Sequence, residues 1–258
     1  MTPSLGQHFL KTPGPARILV KALDLQPTDV VIEIGPGHGE LTKYLVAAPH
    51  AKIVCIEKDV VLAASVVRYY ENDASLTVIH GDVREVLGEV VAGLGTDTWK
   101  LAGNIPYYLT SYLVRLMGEL PHPPVRAALL MQREVAERIS AKPGDFSKLA
   151  AFTGAWADTS IAGHVPRTSF SPPPKVDSSI LSFIKREHTV ADRASYDAFV
   201  RCAFAQPRKV LLNNLLHEGT TKDELAVALE SVGLTRTARP QDLSVELIER
   251  LSKLIKTE

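Results

Sequence analysis

Val30-Val-Ile-Glu-Ile-Gly-Pro-Gly-His-Gly39 is the stretch on which the fold turns. Five β-favouring residues run into a glycine cluster, and Leu41, Tyr44, Leu45 and Ala48 then recur at helical spacing. Glycines permit a tight turn and let a ligand approach the backbone, while a helix N-terminus attracts negative charge. The spacing G-x-G-x-G differs from the dinucleotide fingerprint G-x-G-x-x-G. Glu33, just before the turn, would repel a pyrophosphate, so a cationic or zwitterionic ligand suits this loop better. Taken alone, the turn also reads as a plain tight connection or a nucleotide site of another kind.

The same alternation continues outward. Lys52 to Glu57, Leu76 to Ile79, Lys100 to Gly103 and Val125 to Met131 read as strands, with helical patterns over Val60 to Tyr70 and Gln132 to Ser140. This spacing predicts a parallel, doubly wound α/β sheet. The texture changes after Ala150. Thr159 to Ala162 and Ser178 to Ile184 read as two closing strands, separated by the proline-rich loop Phe170-Ser-Pro-Pro-Pro-Lys175. Beyond Arg186 only helices are expected: Tyr196 to Ala205, Val210 to His217, Lys222 to Val232 and Val245 to Ile255. A boundary near Lys185, with a small all-helical domain behind it, follows.

The chain has 258 residues, 45% of them hydrophobic, with 29 basic and 29 acidic side chains. That composition is globular, and no apolar run approaches the ~20 residues that span a bilayer. The N-terminal stretch carries no apolar signal region, and the reduced cytoplasm is the expected compartment. Cys55 and Cys202 stand apart, with no metal-ligand or disulfide spacing. Cys55, within Ile53-Val-Cys-Ile56, reads as a small buried hydrophobe. With zero net charge, any nucleic-acid binding must fall to local patches.

Three acids end adjacent strands: Glu33, Glu57 and Asp82. Ligands of open α/β sheets bind at that edge. Glu57 sits near the spacing of a ribose-binding acid, or is a solvated strand end paired with Lys58. Asp82 fits an adenine amino group and a helix cap equally well. Asn104-Ile-Pro-Tyr107 ends the fourth strand at the same edge. There an Asn side chain and carbonyls flanking a fixed proline suit both hydrogens of an exocyclic amine, and a Tyr suits stacking on its ring. The plainer reading is a turn that ends the strand.

The sequence resembles the ribosomal RNA adenine N6-dimethyltransferases. The resemblance runs through Gly6-Gln-His-Phe-Leu10, Glu33-Ile-Gly-Pro-Gly-His-Gly-Glu-Leu-Thr42, Gly81–Asp82, Asn104-Ile-Pro-Tyr107 and Gln132-Arg-Glu-Val-Ala-Glu-Arg138. It continues in Phe170-Ser-Pro-Pro-Pro-Lys-Val-Asp-Ser178, in Phe204-Ala-Gln-Pro-Arg-Lys209 and in Asn213-Asn-Leu215. It implies a Rossmann-like class I methyltransferase domain over 1–185 that binds S-adenosylmethionine, and a helical RNA-recognition domain over 186–258. It further implies that His8 and Leu10 close over the cofactor, that Gly35 lies against its methionine end, and that Glu57 binds the ribose and Asp82 the adenine. Asn104 then sits between methyl donor and target amine, and Tyr107 and Phe170 hold the flipped adenine. His8 stands where Asn is frequent in the family. The stretch after Pro143–Gly144 and Pro207 depart from the usual RNA-facing pattern.

An adenine amino nitrogen is a poor nucleophile because its lone pair is delocalised. Acceptors on both N–H bonds, from Asn104 and the Pro106 carbonyl, localise it, and a sulfonium donor then needs positioning more than acid–base work. No dedicated general base and no metal are expected. RNA docking falls to Arg201, Arg208 and Lys209, which have no acid between Phe199 and Leu216, unless these form only a solvated face. Lys11, Arg17 and Lys21 are a second basic group. The expected substrate is small-subunit ribosomal RNA, as a pre-assembled ribonucleoprotein, and the expected state is a monomer. The rivals are a large-subunit resistance methylase and a non-catalytic assembly factor on the same fold. The glycine spacing disfavours a nicotinamide dehydrogenase.

Overall fold

The computed structural model describes residues 8–217 and 219–256, so Gly6 and Gln7 of the first motif, and the stretch before them, lie outside the described residues. In chain order the elements are β1 (Phe9–Leu10), α1 (Pro13–Leu23), β2 (Val30–Ile34), α2 (Thr42–Val46), β3 (Lys52–Glu57), α3 (Val60–Tyr69), β4 (Leu76–His80), α4 (Val83–Ala92), β5 (Lys100–Asn104) and α5 (Thr110–Glu119). There follow β6 (Arg126–Gln132), α6 (Arg133–Ile139), α7 (Lys148–Gly154), β7 (Ala157–Val165), β8 (Phe170–Ser171), β9 (Ser178–Lys185), α8 (Arg193–Ala203), α9 (Leu211–Leu215), α10 (Lys222–Ser231) and α11 (Val245–Leu254). Among the described residues no helix is long and apolar enough to cross a membrane.

The chain divides into two compact units. One comprises the residues up to Ala136 together with Thr159–Lys185, the other Glu137–Asp158 together with the chain from Arg186 onward. In the first, seven strands form one sheet in the order β4-β3-β2-β5-β6-β9-β7. Strands β4, β3, β2, β5 and β6 are parallel neighbours, and β9 runs antiparallel to β6. The central strands read as continuous apolar runs because helices cover both faces of a parallel sheet: Val31, Ile32 and Ile34 of β2 and Leu101 and Ala102 of β5 are buried. The strand order reverses between β3 and β5 on either side of β2, and a crevice at such a switch point is where doubly wound sheets bind ligands.

Helix α1 opens Pro13-Gly-Pro15, which in isolation is turn chemistry. Prolines are accepted in a first helical turn because its N–H groups have no intrahelical partner. The strand β8 lies inside what the sequence suggests is loop, and Phe170 pairs with Leu10 of β1.

The second unit corrects the single cut at Lys185: α7 belongs with the C-terminal helices. Phe146, Ala150, Ala151 and Ala155 share one core with Tyr196, Phe199, Leu211, Leu229 and Ile248. The Tyr196 hydroxyl donates to the Ala151 carbonyl (2.9 Å). A Cβ on Gly154 would stand 2.5 Å from a Val245 methyl, so α7 approaches α11 too closely for any larger residue. Small residues on α7 leave it little apolar area of its own, and it finds that area only among the later helices. Tertiary contact, not chain order, sets this boundary.

Candidate active site

A cavity of about 310 Å³ opens at the carboxyl ends of β2, β3, β4 and β5, with β1 along its rim. His8, Leu10, Gly35, Glu57, Asp82, Asn104, Pro106 and Tyr107 all line it. The glycine loop makes its floor. Gly35 and Gly37 have φ of +65° and +60°, where a side chain is strained, and a Cβ on Gly37 would press within 3.1 Å of the Phe9 ring. The Gly35 N–H is tied to the Ile56 carbonyl (2.9 Å), which fixes the loop against β3.

Glu57 is buried and is held by two backbone donors, the N–H of Gly37 (3.2 Å) and of Asp59 (2.9 Å). An ionised carboxylate has roughly four acceptor positions, so two remain for hydroxyl donors in the cavity. The alternative pairing with Lys58 is not formed, because the Lys58 ammonium lies 3.0 Å from Asp82.

Asp82 is a helix cap that also faces the cavity. It caps α4 by accepting the Arg84 N–H (3.0 Å), and it lines the cavity. The Arg84 guanidinium binds it through both oxygens, at 3.0 and 2.6 Å. That guanidinium first, with the Arg84 backbone N–H and Lys58 added, holds the Asp82 carboxyl well below the usual carboxylate range. Lys58 and Arg84 are partners that strand-end reasoning does not reveal. Both follow an acid by one or two residues, and only the turn geometry brings them onto the same carboxylate.

Glu33 departs from the expected trio of cavity acids. It is 1% exposed, does not line the cavity, and its carboxyl is pushed up to about 7 by burial. One oxygen accepts the Cys55 thiol at 3.6 Å and the other has no partner. The inward face of β2 turns it into the layer beneath the glycine loop. Cys55 is buried, as its apolar run suggests.

Around Asn104-Ile-Pro-Tyr107 the hydrogen bonds are asymmetric. The Asn104 side-chain nitrogen donates to the His8 carbonyl (2.9 Å), which fixes the amide and leaves Oδ1 without a hydrogen bond among the described residues. The Pro106 carbonyl, expected as the second amine acceptor, already accepts the Leu109 N–H (2.9 Å) of the turn that starts α5. The Ile105 carbonyl, one residue earlier, accepts no hydrogen bond among the described residues, and Ile105 lines the cavity. The Tyr107 hydroxyl bonds that of Ser178 (2.7 Å), and its ring lies 5.7 Å from the His8 ring. Burial raises the Tyr107 hydroxyl pKa.

Phe170 is placed elsewhere than expected. It is 1% exposed, packs in the core with Leu10, Leu130 and Val165, and does not line the cavity. Pairing of β8 with β1 turns the ring inward, where its apolar area is better satisfied. The cavity aromatics that sequence reasoning overlooks are Phe9 and Tyr108, the latter 61% exposed. For Tyr108, a second Tyr directly after the motif was the one signal.

In the second unit, Arg201 is an exposed residue of α8, while Arg208 and Lys209 are exposed in the turn between α8 and α9 rather than on a helix. Asn214 accepts the Gln206 N–H and donates to the Gln206 carbonyl, both at 3.1 Å, and so latches this turn. Asn214 is thus committed to the fold.

A family model described as ribosomal RNA adenine dimethylase matches residues 1–257. The small-subunit ribosomal RNA methyltransferase A of Dehalococcoides mccartyi strain CBDB1 is 34% identical, over 96% of this chain and 86% of its own. The protein of the same name from Chlorobium phaeobacteroides is 39% identical, over 82% and 77%. The crystal structure of a dimethyladenosine transferase from Plasmodium falciparum superposes with a TM-score of 0.79 at 25% identity, covering 95% of this chain and 96% of that one. That of the 23S rRNA methyltransferase ErmE gives 0.75 at 26%, covering 96% and 99%.

Proposed function

This chain belongs to the ribosomal RNA adenine dimethylase family, and we propose that it dimethylates adenine N6 in small-subunit ribosomal RNA with S-adenosylmethionine as the methyl donor. The observation that carries the reading is the pair of open acceptors, Asn104 Oδ1 and the Ile105 carbonyl, on the wall of the cavity that also holds Glu57. Both are neutral, which suits a nitrogen that gains positive charge as it reacts. Two acceptors on the two N–H bonds draw the amine lone pair out of conjugation and aim it. His8, by holding the Asn104 nitrogen, keeps the acceptor oxygen turned toward the cavity.

The residues present fit an adenosyl sulfonium. Glu57 has spare acceptor capacity for ribose hydroxyls, and the glycine loop leaves the room that any Cβ would remove. The cofactor supplies the methyl group on a cationic sulfur. Gly35 faces its methionine end, Leu10 and His8 close the rim, and Asp82 faces the adenine. Tyr107 provides the stacking face for the target base. Phe170 backs the β1–β8 ribbon from the core instead of forming a second face. Arg201, Arg208 and Lys209 contact phosphates, and the enzyme acts as a monomer in the cytoplasm on a ribonucleoprotein.

Small-subunit specificity rests on the named relatives at 34% and 39% identity and on the Phe204-Ala-Gln-Pro-Arg-Lys209 stretch. The test is incubation of isolated small and large subunits with enzyme and labelled cofactor, followed by mass spectrometry of nucleosides. N6,N6-dimethyladenosine in the small-subunit RNA is the expected product. Label confined to the large subunit, or absent from both, overturns the reading.

A further inference from the structure

We infer that the exposed face of α1, with Lys43 of α2, is a second RNA-docking surface, located in the same unit as the cavity. The inference rests on the proposed ribosomal RNA substrate. Arg17 and Lys21 lie one helical turn apart on the exposed side of α1, about 6 Å along its axis. Tyr44 of α2 carries two cations on its ring: the Arg17 guanidinium at 6.0 Å and the Lys43 ammonium at 5.3 Å from its centroid. Lys11 is exposed one residue beyond Leu10, which lines the cavity, and its N–H is anchored to the Ser169 carbonyl (2.9 Å). Lys11, Arg17 and Lys21 therefore run from the cavity rim along α1, and Lys43 of α2 joins Arg17 across the Tyr44 ring.

Their charge is not spent within the protein. Among the described residues none of the four has a carboxylate partner. The acids nearest in sequence are Asp24, which faces Arg126 at 3.3 Å, and Glu40, whose carboxylate accepts the His38 N–H (3.1 Å). In a chain of zero net charge, four cations without a carboxylate partner among the described residues, two of them on the half-buried Tyr44 ring, concentrate the attraction that composition lacks. The chemistry fits phosphates of a strand whose target base enters the cavity: guanidinium and ammonium groups neutralise phosphates, and contacts of this kind position rather than specify.

The test uses the whole protein and isolated small subunits, with binding measured by sedimentation at several salt concentrations. The triple variant Arg17→Gln/Lys21→Gln/Lys43→Gln changes only exposed side chains. Its slope of log affinity against log salt should be shallower by roughly 2–3, about 0.7–0.9 for each of three phosphates no longer neutralised, and cofactor binding should be unchanged. Lys52→Gln, exposed at the opposite end of β3, should keep the wild-type slope. An unchanged slope in the triple variant overturns the inference. So does weaker binding with no change of slope, which would mark a protein partner instead. Because the readout is binding, it stands apart from whether the wild-type enzyme dimethylates those subunits.

Discussion

The two ends of the cavity are built on opposite principles. At the Glu57–Asp82 end the carboxylates are held in place: two backbone N–H groups fix Glu57, with acceptor positions to spare, and two cationic side chains hold Asp82. At the Asn104–Tyr107 end the structure engages the donor of the Asn104 amide and leaves its acceptor open, with the Ile105 carbonyl open beside it. The first end is organised to bind with little rearrangement. The second presents acceptors to the cavity that take no hydrogen bond among the described residues.

The contrast can be broken most sharply at Asn104. Asn104→Ala should lower single-turnover methyl transfer by ~10²–10³ while changing affinity for cofactor and RNA far less. Near-normal turnover would reduce Asn-Ile-Pro-Tyr to a structural turn. Beneath the loop that joins the two ends, Glu33 gives a pH signature. Its carboxyl is pushed up to about 7 from the ordinary 4.5 by burial, so the folded state holds a proton that the unfolded state releases. Its stabilising contribution is complete below about pH 4.5 and is lost as pH rises toward 7, by at most roughly 3 kcal/mol. Urea titrations at pH 5 and pH 8 should show Glu33→Gln gaining on wild type at the higher pH. An equal difference at both would place an ionised, partnered carboxylate there.

At the binding end, Glu57→Ala should weaken S-adenosylmethionine binding by ~1–3 kcal/mol, the range for hydrogen bonds to a charged group. Isothermal titration on the folded variant measures it, and unchanged affinity would remove Glu57 from the ribose position. The smallest effect should come from Tyr107→Phe. It keeps the ring and loses only the bond to the Ser178 hydroxyl, worth ~1 kcal/mol. Thermal unfolding and methyl transfer should both change little. A large rate loss would make the hydroxyl, rather than the ring, the working part of Tyr107.

Much of the sheet is legible from local pattern because parallel strands buried on both faces have to be apolar throughout. Val30–Ile34, Lys52–Glu57 and Lys100–Asn104 are strands that the residues themselves announce. The ends of those strands are legible too, since Gly35, Glu57, Asp82 and Asn104 each sit where an apolar run stops. Contacts between stretches distant in sequence are not. The His8 carbonyl lies 96 residues from the Asn104 amide that it orients. Phe170 stands in an obvious motif, yet its side chain points into the core because Phe170–Ser171 pairs with Phe9–Leu10. Lys43 and Arg17 meet only because α2 packs beside α1 around Tyr44.

The sequence by itself determined the α/β class, the glycine loop, the strand ends that line the cavity and the family, because each depends on residue type at short spacing: backbone freedom at glycine, period-two and period-3.6 burial, and strand-end acids. Only the tertiary structure decided which acceptor is free, which acid is buried beneath the loop, which cations stay unpaired, and that α7 joins the helical unit. Those outcomes depend on who competes for each lone pair, charge and apolar surface, and the competitors come from distant parts of the chain.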